Sequence, residues 1–250
     1  AALYLCFEHD EHALTGRLLA TAIGDLQLSH DPLDRDAVQT VVRETMTGRF
    51  PFERSEARLP AVRAALAGLE GIADRLVLAR GSTNTGTDEL ADLISAMPQP
   101  CFVVVDHLER IATPDSLIGR ERTRHVVGAI KDLALDQRAA ILAIATVDAG
   151  RLAQRRVRLA DLHSAEVVGH EADVVLVAND KAQIVSKVHT AHDSTTLGDH
   201  QRRLVVSIEK NRRGESGLDL EFDKDYVHYR LDPQGRFVSE QLVDNHFILE

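Results

Sequence analysis

Short apolar runs of strand length alternate along the chain with segments whose apolar residues recur every three or four positions. LYLCF (Leu3 to Phe7) is the first such run, ending in Glu8, His9 and Asp10. From Asp10 the period becomes helical, with Leu14, Leu18, Leu19 and Ala22 on one stripe, Asp10 as the N-cap and Gly24 as the expected stop. Residues 31–97 read mainly as helices, one carrying Ala37, Val41 and Val42, a second Val62, Ala65, Leu66 and Leu69, and a third Leu90, Leu93 and Ile94. A brief strand, Arg75 to Gly81, interrupts them. CFVVVD (Cys101 to Asp106) is the next strand, followed by an amphipathic helix over Arg120 to Gln137 and a wholly apolar strand over Ala139 to Val147. Glu171 to Asn179 reads as a further strand, Lys181 to Arg203 as a polar, aperiodic and mobile loop, and Leu204 to Phe222 as a hairpin with a Gly- and Arg-rich turn. YVHYRLD and RFVSE add a final short strand or two.

Apolar strands separated by helices, with antiparallel strands last, predict an α/β fold: a mainly parallel sheet flanked by helices, with antiparallel strands at its C-terminal edge. The organisation expected is one core over residues 1–231, with a helical segment at 31–97 and a loop at 181–203, and an extension over 232–250. Ligands in such sheets sit at the carboxyl ends of the strands. Three strands end there on polar residues, at Glu8, Asp106 and Thr146.

Composition narrows the classes. The apolar fraction of 44% and charged fraction of 27% are those of a folded globular protein. No run approaches the roughly 20 apolar residues of a membrane span, and no charged-then-apolar leader opens the chain, so the expected address is cytoplasmic, with no membrane partner. Cys6 and Cys101 each lie inside an apolar run and read as buried free thiols. The net charge of −10 argues against general attraction to nucleic acid, although QRRVRLAD and EKNRRGES form basic islands. With no Trp and 4% aromatics, a base-stacking platform is not expected. His9, His12, His189, His192 and His200 show no metal-binding spacing.

Four segments, in order, carry a resemblance. LCFEH ends a strand on Glu8, CFVVVD ends one on Asp106, a sensor-like strand reaches Thr146 and leads through a basic loop to EADVVLV, and EKNRRGESG places Lys210 and Arg212 on a hairpin. Together they resemble the C-terminal ATPase domain of DnaB-type replicative helicases, within the RecA-like superfamily, over almost the whole chain.

That resemblance implies a RecA-like fold and an ATPase that uses ATP and Mg²⁺. Glu8 would be the base that polarises the attacking water, because a carboxylate within hydrogen-bond reach can take its proton. Asp106 would orient Mg²⁺ through water, since this hard ion keeps much of its hydration shell. Thr146 stands where the family usually has a γ-phosphate-sensing Gln, with shorter reach. Lys210 and Arg212 would act on nucleotide held by a neighbouring copy, Arg212 through its planar fork. This implies a ring or filament, expected as a hexamer.

Single-stranded DNA would be the partner, through Arg151, Arg155, Arg156, Arg158 and His163. The loop departs from the family by carrying His163, Ser164, Ala165 and Glu166 in place of a basic turn, which weakens a phosphate contact. No GxxxxGK[ST] phosphate loop occurs, and GSTNTGTDE (Gly81 to Glu89) is not one. The chain opens within a strand, and the expectation is that upstream residues supply that loop. Taken alone, residues 1–250 are expected to bind nucleotide weakly and to be inactive. Two other readings stay open: a non-hydrolysing assembly or regulatory protein on the same fold, and an ATP switch acting on protein partners.

Overall fold

A computed structural model describes residues 1–27, 40, 43–44, 60–147, 156–162, 165–185 and 194–244. The helix assigned to Ala37, Val41 and Val42 lies outside these described residues, as do residues 186–193 of the polar segment. Two compact units emerge, one of Ala1–Leu117, Gly128–Ala145 and Asp225–Arg230, the other of Ile118–Val127, Thr146–Lys224 and Leu231–Glu250.

The first unit is built on a four-stranded parallel sheet. Its strands are β1 (Ala2–Cys6), β2 (Leu76–Arg80), β3 (Phe102–Asp106) and β4 (Ala140–Ile144), in the order β2-β1-β3-β4. The register aligns Leu3 with Val103 and Leu5 with Val105, and all four are buried on one face. Strand alternation therefore sends Tyr4, Cys6, Val104 and Asp106 to the opposite face. β4 is the edge strand among the described residues, with Leu142 and Ile144 exposed. Its uniform apolar run predicts a strand but cannot say how many of its faces are covered.

Two helices, α1 (Glu11–Gln27) and α2 (Pro60–Ala73), pack through Leu19, Ala20 and Ile23 against Val62 and Ala65. Asp10 does cap α1, its Oδ1 accepting the Ala13 N–H at 2.9 Å. The unit also holds α3 (Thr87–Ser95) and the residues of α4 (Gly119–Asp136) from Gly128 onward.

Gly24 does not stop α1, which continues to Gln27. A Cβ there would lie 2.7 Å from Cβ of His228, so glycine is required for the close passage of Asp225–Arg230. That segment is also held by Thr21 Oγ1 donating to the His228 carbonyl at 3.2 Å and by the Arg230–Asp25 ion pair. Gly24→Ala is expected to lower stability by about 1–3 kcal/mol, the usual cost of overpacking. Thermal denaturation checks it, and an unchanged midpoint would show that His228 yields freely.

The second unit carries the antiparallel strands β5 (Val174–Asp180), β6 (Arg203–Asn211) and β7 (Leu218–Asp225), in that order, with a two-residue strand, Arg236–Phe237, on β7. The strand expected from Glu171 begins at Val174, because Glu171 closes helix α5 (Ala165–Glu171). Val157, Val175 and Val177 form its small core. The hairpin after β6 turns at Gly217, whose φ of 78° favours glycine.

The loop expected over Lys181 to Arg203 is a correction. Lys181–Ile184 is a helical turn, α6, capped by Asp180, and Ser194–Gln201 is helix α7. Within that segment Lys181 and His200 are buried although both are polar. Lys181 is fully buried and donates to Glu221 and, at 2.8 Å, to Glu240. Arg203 and Arg236 also donate to Glu221, at 2.9 and 2.6 Å.

Among the described residues, no helix is long and apolar enough to cross a membrane. Cys6 and Cys101 are buried free thiols.

Candidate functional site

The carboxyl edge of the parallel sheet brings two of the expected residues together. Cys6 and Asp106 are direct register partners at the ends of β1 and β3. The Phe7 N–H then donates to the Asp106 carbonyl at 2.9 Å, and Gly81 N–H to the Cys6 carbonyl at 2.7 Å. These bonds hold the turn that carries Glu8, whose side chain is 58% exposed and so open to a ligand and water. Gly81 is buried, and a Cβ on it would meet the Phe7 ring at 2.5 Å, so this glycine lets the ring lie against the strand end.

Asp106 is largely buried, so the apolar strand ends on a carboxylate that is built into the sheet. Its Oδ2 accepts from the Tyr4 hydroxyl at 2.9 Å and lies 3.6 Å from the Cys6 thiol. Burial, then the hydrogen bond to Asp106, push the Tyr4 phenol well above its ordinary range, so Tyr4 stays a donor. His107 stands between the two carboxylates, its Nδ1 3.9 Å from Glu8 Oε1 and 4.0 Å from Asp106 Oδ1. Those spans exceed a direct hydrogen bond and suit a bridging water. Reading the sequence for strand-end carboxylates passed over Tyr4 and His107. The signal for Tyr4 was available, since alternation puts it two residues from Cys6 on one face.

The remaining expected residues that the structure describes belong to the second unit. Thr146 is exposed, two residues beyond the end of β4. Lys210 and Arg212 lie at the end of β6, where a bulge at Glu209 shifts the pairing with β5. Lys210 Nζ donates to the carbonyls of Gly169 and His170 at 2.7 and 3.2 Å, and Arg212 to that of His170 at 2.7 Å. Both cations thus satisfy carbonyls at the C-terminus of α5, where the helix dipole favours them.

Arg156 turns inward, buried against Ser207 Oγ at 2.7 Å and paired with Asp219. Arg158 pairs with Glu209 at 2.8 Å and Asp244 at 3.0 Å. Neither guanidinium stands free for a phosphate. Arg151, Arg155 and His163 lie outside the described residues.

A metal cage is not what the side chains offer. Among the described residues no group of three His, Cys, Asp or Glu is placed to hold an ion. One carboxylate at a strand end does fit Mg²⁺ that keeps its waters and is completed by phosphate oxygens.

Two solved structures share this architecture. One, an ATPase domain, superposes with a TM-score of 0.64 over 92% of this chain and 73% of its own length, at 12% identity. The fold is that of a DnaB-like helicase ATPase domain. The second, a DnaB-like replicative helicase described with its interactions with primase, gives 0.65 over 92% of this chain, also at 12% identity, and the chain spans half its length. No protein-family model matches the sequence. No curated protein matches it. At 12% identity the likeness is one of fold; the strand pattern predicts an α/β sheet flanked by helices, the resemblance implies its RecA-like form, and that is the architecture found.

Proposed function

We propose that this chain is an ATPase subunit of the DnaB/RecA-like class, hydrolysing ATP with Mg²⁺ at a site shared between copies. The observation that carries this reading is the pair of strand ends, Cys6 and Asp106 in register, that sets Glu8 and Asp106 at one edge of a sheet of this fold. Asp106 would hold Mg²⁺ through water, and Mg²⁺ would neutralise phosphate charge during transfer. Glu8, exposed at the same edge, would accept the proton of the attacking water. Thr146 would sense the terminal phosphate.

Lys210 and Arg212 would act in trans, in a ring or filament, expected as a hexamer, in the cytoplasm. Their bonds to the α5 carbonyls are of a kind worth about 1 kcal/mol each, small beside a bidentate contact to phosphate. Arg212→Ala is expected to lower turnover by about 10³-fold or more if the guanidinium meets the transferring phosphate, with little change in stability. Steady-state Mg-ATP hydrolysis checks it. A loss under threefold would leave Arg212 as a helix cap only.

Coupling to single-stranded DNA is the finer part of the proposal. Fluorescence anisotropy with a labelled oligonucleotide at about 50 and 200 mM salt tests it, with salt-weakened binding as the supporting result. The inward commitment of Arg156 and the carboxylate partners of Arg158 favour a second reading, an ATP switch or assembly protein that does not hold DNA. Absence of binding at low salt would select it.

A further inference from the structure

We propose that Tyr4 is a positioning residue for Asp106: its hydroxyl, helped by the Cys6 thiol, ties Oδ2 of Asp106 into the sheet and leaves Oδ1 to meet a hard divalent cation. The inference rests on the reading of Asp106 as the metal-orienting carboxylate.

Register explains how three residues come to share one carboxylate. β1 and β3 run parallel with Tyr4 opposite Val104 and Cys6 opposite Asp106, so Tyr4, Cys6 and Asp106 project from one face. Cys6 reaches Asp106 directly across, at 3.6 Å. Tyr4 starts one pair further back, and the length of its ring carries the hydroxyl along the diagonal to 2.9 Å from the same oxygen. A phenol donating to a carboxylate makes a charge-assisted bond, while a thiol is a weak donor. Tyr4 therefore does most of the orienting.

Oδ1 is in a different position. Among the described residues no hydrogen-bond donor reaches it, and the His107 ring stands 4.0 Å away. A carboxylate pinned through one oxygen cannot rotate to chelate a cation with both, nor swing away from it. Such a group offers one fixed acceptor, which suits an ion that demands near-octahedral geometry and retains its waters. Outer partners that fix a ligand in this way commonly affect metal affinity strongly.

The test titrates the full chain with Mn²⁺, following the free-ion signal by electron paramagnetic resonance, for the wild type, Tyr4→Phe, Cys6→Ala and Asp106→Asn. Tyr4→Phe keeps the ring and removes only the hydroxyl, and its thermal midpoint reports any general loss of fold. The expected result is Mn²⁺ binding that Asp106→Asn abolishes and Tyr4→Phe weakens by about tenfold or more, with Cys6→Ala weakening it less. Binding by Tyr4→Phe as tight as wild type would overturn the proposal, and so would binding indifferent to Asp106→Asn or no binding at all. ATP turnover is scored separately. Asp106-dependent Mn²⁺ binding sensitive to Tyr4, in a full-length protein that hydrolyses no ATP even with its upstream residues, would sink the ATPase reading and leave the assignment of Tyr4 standing.

Discussion

Lys181→Met is expected to destabilise the antiparallel unit by about 3 kcal/mol, near the low end for breaking a buried ion pair. The ammonium of Lys181 is wholly enclosed, with Glu221 and Glu240 as its partners. Removing it takes the ammonium from Oε2 of Glu221, a residue only 3% exposed, and from Oε2 of Glu240, and a buried carboxylate oxygen that loses its partner is costly. Arg203 and Arg236 still reach Glu221, which keeps the loss from the top of the range. Urea denaturation followed by circular dichroism measures it. A change below about 1 kcal/mol would place the cluster among ion pairs of little net worth. Adding Glu240→Gln should recover part of the loss, because it removes one of the charges left behind.

The same cluster fixes the sign of a pH dependence. Burial pushes the Glu240 carboxyl up, but the hydrogen bond from Lys181 and its charge outweigh it and bring it down to about 2. Glu221 is lowered in the same way, burial opposing and Lys181 and Arg236 prevailing. A carboxyl depressed on folding contributes stability that is present above its unfolded value and is lost as pH falls toward the folded one. His200 moves earlier in the same titration. It is buried with neither ring nitrogen hydrogen-bonded, and burial, then the charge of Lys181, lower its value. For a histidine depressed on folding, stability is full above its ordinary value, about 6.5, and declines below it. Acid destabilisation should therefore begin near neutrality and steepen through the carboxyl range, and His200→Phe should remove the first part only.

Glu8→Gln is expected to cut Mg-ATP turnover by about 10²–10⁴-fold, the span of a lost general base. Its side chain is mostly exposed at the turn after β1, so the substitution should leave stability within about 0.5 kcal/mol. Retained stability with lost turnover separates chemistry from folding. Turnover that survives would move the base to another group, with the His107 ring, 3.9 Å away, the candidate.

Legibility in the sequence followed the strength of local signals. Short apolar runs located β1 and β3, and the 3.6 period located α1, α2 and α4, where one buried face imposes it. Residues 181–203 misled because polar composition does not report burial: Lys181 and His200 are buried, Lys181 against Glu221 and Glu240 from outside the segment. Gly24 misled for a related reason: a glycine demanded by a passing segment about two hundred residues later looks like a helix stop. At the candidate site, the two strand-end carboxylates were visible as abrupt polar stops after apolar runs. Tyr4, the partner that orients Asp106, was legible only as a residue on the same face as Cys6, since its bond depends on the register of two strands about a hundred residues apart. Lys210 and Arg212 were visible as charges, but their engagement with α5 carbonyls needed the bulge at Glu209.

The most direct test of the central claim is Mg-ATP turnover by the full-length protein, with and without single-stranded DNA, beside Glu8→Gln. The account predicts hydrolysis that requires Mg²⁺ and falls by at least about a hundredfold in Glu8→Gln. Hydrolysis that is absent, or indifferent to Glu8, would contradict it and leave the fold of a motor without its chemistry.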